Sequence, residues 1–419
     1  MNEATGARKR VAITGIGAAT PHGIGVEAAW AGVLAGVNTI GPIRRFDARS
    51  FPVRFAAEAP EPTALPEVPA AVQHILLDLK GRLAAVAAAE ALAMAQLPAL
   101  GERLGVCLGS EAARPDLAEL ATRMRSGQLP SAEELVRMSP EAPTRLVAAM
   151  AGAQGPMSTV STACTSSSQS VGEGLLRIRR GEATAMIVGG VDVLVDPIMI
   201  TGFAKLGALS QRNDDPATAS RPFDLHRDGF VLGEGAGFLV IEDWDFAVGR
   251  GATILAELSG FGCSCNAYRI TDSPPDGRGA AQSMEAALLD ARLQPEDIDY
   301  INAHGTSTPM NDSSEAAGIL RALGERGGSV PTSSTKSMTG HLVAACGAVE
   351  AIFCVLATRD GRMPPTLNLA QPDPACPLAH IIGGALTAPV RHALTNAFGF
   401  GGSNGTLVIS RVDAAGDRA

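Results

Sequence analysis

Apolar residues along this chain fall into short unbroken runs, separated by polar turns rich in glycine. Residues 10–18 form one such run and predict a buried strand that ends at Gly15 and Gly17. Residues 24–35 follow with helical spacing and carry Trp30. The stretch 42–70 is proline-rich and predicts irregular chain. A long alanine-rich helix is expected over 78–97, and RLGVCLG at 103–109 reads as a second buried strand. Residues 112–150 are polar and helical without a clear core face, which marks about 111–150 as a cap or interface insertion. The pattern then sharpens. MSTVSTA from Met157 predicts a strand, the segment from Cys164 a helix with a small-residue first half, and AMIVGGVDV from Ala185 a further strand.

The second half opens with a strand in ATILAELSGFGCS, then a helix over 279–292 and a strand in IDYINAHG. VPTSSTKS and a helix over about 341–359 form the next unit. NAFGFGGSNGTLVISRV closes the chain as a glycine loop followed by a strand. Alternating short strands and helices predict α/β layers. The two halves echo each other: STVSTAC…RIRRGEA and VPTSSTK…ATRDGRM both run strand, turn, helix and charged glycine turn.

Composition narrows the class. The chain has 419 residues, of which 46% are hydrophobic and 18% charged, so it is a core-forming chain of more than one ordinary domain. Aromatics supply only 4%, so the core must be packed from Ala, Val, Leu and Ile. The formal net charge of −9 argues against nucleic acid as a partner. Seven scattered cysteines fit neither a disulfide framework nor a zinc site. The apolar stretches 83–100 and 342–357 carry Glu90, Gln96 and Glu350, so neither reads as a membrane span, and a soluble, cytoplasmic protein is expected.

Three residues stand out for chemistry. Cys164, in TACTSS, sits where a strand hands over to a helix. A thiol there meets the positive end of the helix dipole and free N–H groups that can hold an oxyanion. For one cysteine alone a structural thiol is the commoner case. His304, in NAHGTSTP, is delivered to the C-terminal end of a strand, where α/β sites gather. His341, in KSMTGH, stands in a glycine turn, with the next helix expected to begin at the histidine. Either histidine alone also reads as a cap or a satisfied core group. The Gly-rich Phe398–Asn404 stretch is followed by a strand, so it is not a dinucleotide fingerprint.

Taken together, TACTSS, RPFD…RDGFVLGEGAG, NAHGTSTP, STKSMTGH and NAFGFGGSN occur in one order over about residues 10–412. In this the chain resembles the β-ketoacyl-acyl-carrier-protein synthases of the thiolase superfamily, of the bacterial type II elongating kind. The resemblance implies two duplicated α/β halves forming a five-layered αβαβα core. The halves would span 1–253 and 254–412, with 413–419 a tail. It implies that Cys164 accepts an acyl group, that His304 and His341 bind a malonyl thioester, and that Lys336 and Glu350 support them. Thr306 and Thr308 would line the phosphopantetheine arm. Phe400, with Phe398 beside it, would gate the site, and the N–H groups of Phe400 and Cys164 would form the oxyanion hole. The implied reaction is decarboxylative Claisen condensation with malonyl-acyl carrier protein, in fatty-acid or polyketide/polyene elongation. No metal or organic cofactor is implied. Acyl carrier protein is the implied partner, with Arg44, Arg45, Lys80, Arg82, Lys205 and Arg212 as candidate contacts. A homodimer is expected, or a heterodimer with a homologous subunit.

Some positions depart from the family pattern. The turn after the second strand reads Gly109-Ser110-Glu111-Ala112-Ala113 in place of a GSGxGG-like sequence, and the gating loop reads Asn266-Ala267-Tyr268-Arg269. These point to a specialised acyl chain. Two other readings stay open: an acyltransferase using the same cysteine, and a non-catalytic partner subunit of a ketosynthase pair.

Overall fold

The computed structural model describes residues 8–113 and 117–412. The expected tail at 413–419 and part of the expected insertion lie outside the described residues. The first half contains β1 (Val11–Thr20), α1 (Val26–Leu34), α2 (Leu79–Ala95), β2 (Leu104–Gly109), α3 (Ala142–Ala151), β3 (Met157–Val160), α4 (Ser166–Arg179), β4 (Ala185–Asp192) and β5 (Gly235–Asp243). The second contains β6 (Ala256–Cys265), α5 (Arg278–Ala291), β7 (Tyr300–Asn302), α6 (Pro309–Leu323), β8 (Pro331–Ser333), α7 (Cys346–Asp360), β9 (Ala379–His380), β10 (His392–Phe398) and β11 (Ser403–Ser410).

Eleven strands lie side by side in the order β9-β8-β7-β10-β11-β6-β1-β5-β4-β2-β3. Within the first half the strands run 3-2-4-5-1 by chain position, and the second half repeats that order once the edge strand β9 is set aside. The directions repeat too. β5 is antiparallel to β1 and β4, whereas β2 is parallel to β4 and β3. β11 is antiparallel to β6 and β10, whereas β7 is parallel to β10 and β8. The halves meet where β1 pairs with β6 over Ala12–Glu257 and Ile13–Ala256.

Helices α2 and α3 cover the outer face of the first sheet, and α5 and α6 cover that of the second. Helices α4 and α7 lie between, each against strands of both halves, which completes the αβαβα order. The sequences explain these places. α7 is buried from Cys346 through Thr358, as a helix between two sheets must be. α4 fits because its inner face is small: a Cβ on Gly172 would lie 2.4 Å from the Phe261 ring, and one on Gly174 would lie 2.4 Å from Val188.

Several expectations need correction. β1 does not end at its glycines but runs through them to Thr20. Gly15 and Gly17 instead let α2 press on the strand, since a Cβ there would fall 2.2 and 2.0 Å from the carbonyls of Ala91 and Ala87. The second half repeats the device, with Gly260 and Gly262 against Ala287 and Ser283 of α5. Residues 112–150 do have a core face at their end, where Leu146 and Val147 of α3 are fully buried against α2. Strand β5 was missed. The closing glycine loop is the turn of a hairpin, because β10 precedes it and pairs with β11. The strand expected in IDYINAHG shrinks to Tyr300–Asn302. His341 does not begin a helix: it bridges to Leu232 in extended chain, and α7 starts at Cys346 after a short turn at Val343–Ala345.

Candidate active site

The site lies where corresponding turns of the two halves face each other. In the first half β3 leads through Ala163–Thr165 into α4, and in the second β8 leads through Val343–Ala345 into α7. Both turns open on a non-glycine residue in the left-handed region, Ala163 at φ 52° and Val343 at φ 46°. This conformation is costly for a residue with a Cβ and reverses the chain sharply. In the first turn it presents Cys164; in the second it folds the chain back behind His341.

Imidazole Nε2 of His341 lies 2.9 Å from Cys164 Sγ. The Val343 N–H donates to His341 Nδ1 at 3.3 Å, which leaves the ring proton on Nε2, facing the sulfur. The His304 ring meets that of His341 edge-on at 5.2 Å, and one ligating atom from each of Cys164, His304 and His341 falls within 4.8 Å of the others. That spacing would also admit a thiophilic metal ion. Phe398 packs on His304 at 5.7 Å and Phe230 on His341 at 5.3 Å, so aromatic edges fix both rings.

Electrostatics follow from burial. Both histidines are held well below the usual imidazole range, first by burial and then by the nearby Lys336 ammonium, and so stay neutral. Burial pushes the Cys164 thiol up to about 12, against the pull of Lys336 and of the N–H groups of Phe400 and Cys164 itself. Those two N–H groups converge on the sulfur. Lys336 and Glu350 form a buried ion pair. Burial raises Glu350 to about 7; burial opposes the lysine charge as well, but Glu350, through its charge and its hydrogen bond, together with Cys346 and Glu315, more than offsets this and keeps Lys336 protonated.

A pocket of about 380 Å³ opens onto the three side chains. Thr306 and Thr308 line it and share a hydroxyl contact of 2.9 Å, while Phe203, Phe230 and Phe400 form an aromatic wall. The likeness to known proteins agrees with this geometry. The β-ketoacyl synthase N-terminal domain model matches residues 8–247, and the C-terminal domain model matches 255–370. The chain belongs to the β-ketoacyl synthase family.

Among its relatives, the 3-oxoacyl-(acyl-carrier-protein) synthase 2 of Synechocystis is 40% identical over 96% of this chain and 98% of its own. That of Staphylococcus aureus is 40% identical over 97% and 99%. A β-ketoacyl synthase from Burkholderia phymatum superposes with a TM-score of 0.89 at 36% identity, covering 97% of this chain and all of that one. The ishigamide ketosynthase/chain length factor gives 0.87 at 35% over the same shares. A type II polyketide ketosynthase, solved with its acyl-carrier protein and a hexaketide, gives 0.87 at 32%, also over the same shares.

The β-ketoacyl synthase motifs thus meet at one point, but the expected carrier contacts do not form one patch. Lys80 is buried, its ammonium bonded to the Glu111 carbonyl and 3.4 Å from Asp192, so it cannot reach a carrier protein. It stands on the inner side of α2, where only an internal ion pair can offset its burial. Arg45 is drawn inward onto Glu234, and Arg82 onto Glu61 and the carbonyls of Leu76 and Leu77. Arg212 bonds the His226 carbonyl. Arg44 and Lys205 remain exposed, as does Arg45 despite its inward bond, and Lys205 adjoins the pocket-lining Leu206 and Gly207.

Other residues of the site were not foreseen. Glu315 accepts the N–H groups of His304 at 2.8 Å and Gly305 at 2.7 Å, and so holds the histidine turn. Asp312 accepts from Ser307 and Phe223 in the same way. Their spacing of three in the helix after GTSTP puts both acids on one face, which was the available signal. Glu111 accepts from Ala163 N–H at 3.1 Å and from the Ser161 hydroxyl at 2.8 Å.

Proposed function

We propose that this β-ketoacyl synthase carries out decarboxylative condensation of an acyl group, held on Cys164, with malonyl-acyl carrier protein, in chain elongation of the fatty-acid or polyketide type. The convergence of Cys164, His304 and His341 within 4.8 Å carries the reading. The relatives named above, two of them 3-oxoacyl-(acyl-carrier-protein) synthases, support it.

An acyl thioester enters the pocket with its carbonyl oxygen between the N–H groups of Cys164 and Phe400. The sulfur attacks, the tetrahedral oxyanion is held by these donors, and the carrier sulfur leaves as a thiol, taking up the proton that Cys164 gives up. Malonyl thioester then places its carbonyl oxygen between His304 and His341. Loss of CO₂ leaves an enolate, whose charge two neutral imidazoles stabilise as donors. Their low proton affinity serves this step, because a charged imidazole would protonate the enolate and end the reaction. The enolate carbon attacks the acyl-Cys164 carbonyl, the oxyanion forms again between the same N–H groups, and the sulfur departs. The carbanion arises from decarboxylation, so no strong base is needed, and the reading calls for no metal or organic cofactor.

Lys336 and Glu350 act behind the histidines, and Thr306 and Thr308 along the pantetheine arm. Phe400 both gates the pocket and lends its N–H. We take acyl carrier protein to dock near Lys205 and Arg44, and the protein to act as a dimer. Strand β3 supports the dimer, since it ends the sheet with Met157 exposed. Among the described residues no helix is long and apolar enough to cross a membrane.

The test is intact-protein mass spectrometry with acyl- and malonyl-carrier proteins. The wild type should gain an acyl mass at Cys164 and then release a β-ketoacyl product. Cys164→Ala should do neither. Condensation by Cys164→Ala would overturn the proposal. Acyl loading without any CO₂ release would favour a simple acyltransferase, and no loading at all a non-catalytic partner subunit.

A further inference from the structure

Lys80, Glu111 and Asp192 are charged residues in or beside the core, and the condensing reaction uses none of them directly. They are connected. The Glu111 carboxylate accepts from Ala163 N–H at 3.1 Å, from Ser161 at 2.8 Å and, weakly, from Ser166 at 3.5 Å. Its backbone carbonyl takes the Lys80 ammonium, which also lies 3.4 Å from Asp192 Oδ1. The other Asp192 oxygen accepts the N–H of Ala344 at 3.3 Å. Ala163 begins the Cys164 turn, and Ala344 lies in the matching turn behind His341. One chain of hydrogen bonds therefore joins the two left-handed turns across the interface between the halves.

We propose that Lys80, Glu111 and Asp192 form an internal brace that sets the Cys164 turn against the His341 turn, with Glu111 the positioning residue for the nucleophile. Each strained turn needs a fixed acceptor for its N–H groups, because an unpaired buried N–H costs about 1–3 kcal/mol. Among the described residues Lys80 is the one cation bonded to both Glu111 and Asp192, so its burial serves both. The charged and titratable groups around Cys164 are Glu111 from the chain after β2, Lys336 and His341 from the second half, His304 after β7 and Cys346 of α7. Around Glu111 stand Lys80 and Asp192. The negative charge of Glu111 also disfavours the thiolate.

The inference rests on Cys164 as the nucleophile of the proposed reaction, so the test uses two probes on the full-length protein. Iodoacetamide alkylation reads the thiolate whatever the natural substrate. Acyl transfer from octanoyl-N-acetylcysteamine reads the turn geometry. Glu111→Gln keeps the acceptor oxygen but loses the charge. It should lower acyl transfer less than Glu111→Ala does, and the lost charge should move the alkylation profile to lower pH. Glu111→Ala and Lys80→Met should each lower acyl transfer at least about 10-fold. The pair Lys80→Met/Asp192→Asn should recover part of the Lys80→Met loss, because it removes the stranded charge. Wild-type acyl transfer in Glu111→Ala would overturn the brace. If octanoyl transfer is absent in the wild type too, the acyl-transfer reading of the site fails, and the alkylation rates decide the brace: equal rates in wild type, Glu111→Ala and Lys80→Met would overturn it.

Discussion

Gly399→Ala separates the proposed oxyanion hole from the proposed nucleophile. Gly399 has φ −110° and ψ 154°, ordinary extended values that alanine adopts freely, so any effect is steric. A Cβ built there lies 2.9 Å from the Thr162 carbonyl and 3.4 and 3.5 Å from the amide nitrogens of Cys164 and Thr165. The first contact is closer than side-chain carbons approach, and the turn on the other side is pinned by its own hydrogen bonds. The 399–400 peptide must therefore back away by a few tenths of an ångström, which carries the Phe400 N–H off its target. Loss of one oxyanion donor costs about 10²–10³ in rate, and a partial displacement should cost at least about 10-fold in acyl transfer. Overpacking should cost about 1–3 kcal/mol of stability. Alkylation of Cys164 by iodoacetamide forms no oxyanion, so its rate should fall less than acyl transfer does, losing only the help that the Phe400 N–H gives the thiolate. Measured together, the two rates should part. The reasoning is refuted if they fall in parallel, which would mean a blocked thiol, or if acyl transfer is untouched.

Two further outcomes follow from the histidine side. His304 and His341 are held neutral well below the usual imidazole range, and in part by Lys336. The acid limb of malonyl decarboxylation should therefore lie below pH 6.5, and Lys336→Met should move it upward as that positive charge is lost; a limb that stays put in the variant would contradict this. Glu315→Ala strips the acceptor from the N–H groups of His304 and Gly305. Decarboxylation should fall at least about 10-fold while acyl loading of Cys164 stays within about 2-fold, with about 2–6 kcal/mol lost from stability by denaturant melt.

Much of this was legible in one dimension. Short apolar runs between glycine turns determined the α/β alternation, because a strand buried on both faces must be apolar throughout. The motifs marked Cys164, His304, Lys336, His341 and Phe400 through their resemblance to the β-ketoacyl synthases. The echo between the halves was visible in their order of strand, turn and helix. What the linear pattern could not supply was approach. Gly15 and Gly17 read as a strand's end, yet they are where α2 touches the strand, and only the packed pair of elements distinguishes the two. Lys80 read as a surface cation because a lysine's sequence neighbours do not report which side of a helix meets Asp192. Glu111 read as a departure from a glycine turn, and its role depends on Ala163, 52 residues away. The catalytic meeting itself joins Cys164 to His341 across 177 residues. Residue identity determined the chemistry available to this protein. The tertiary structure decided the distances, the burial that keeps both imidazoles neutral, and the paired left-handed turns that bring the thiol and the histidine together.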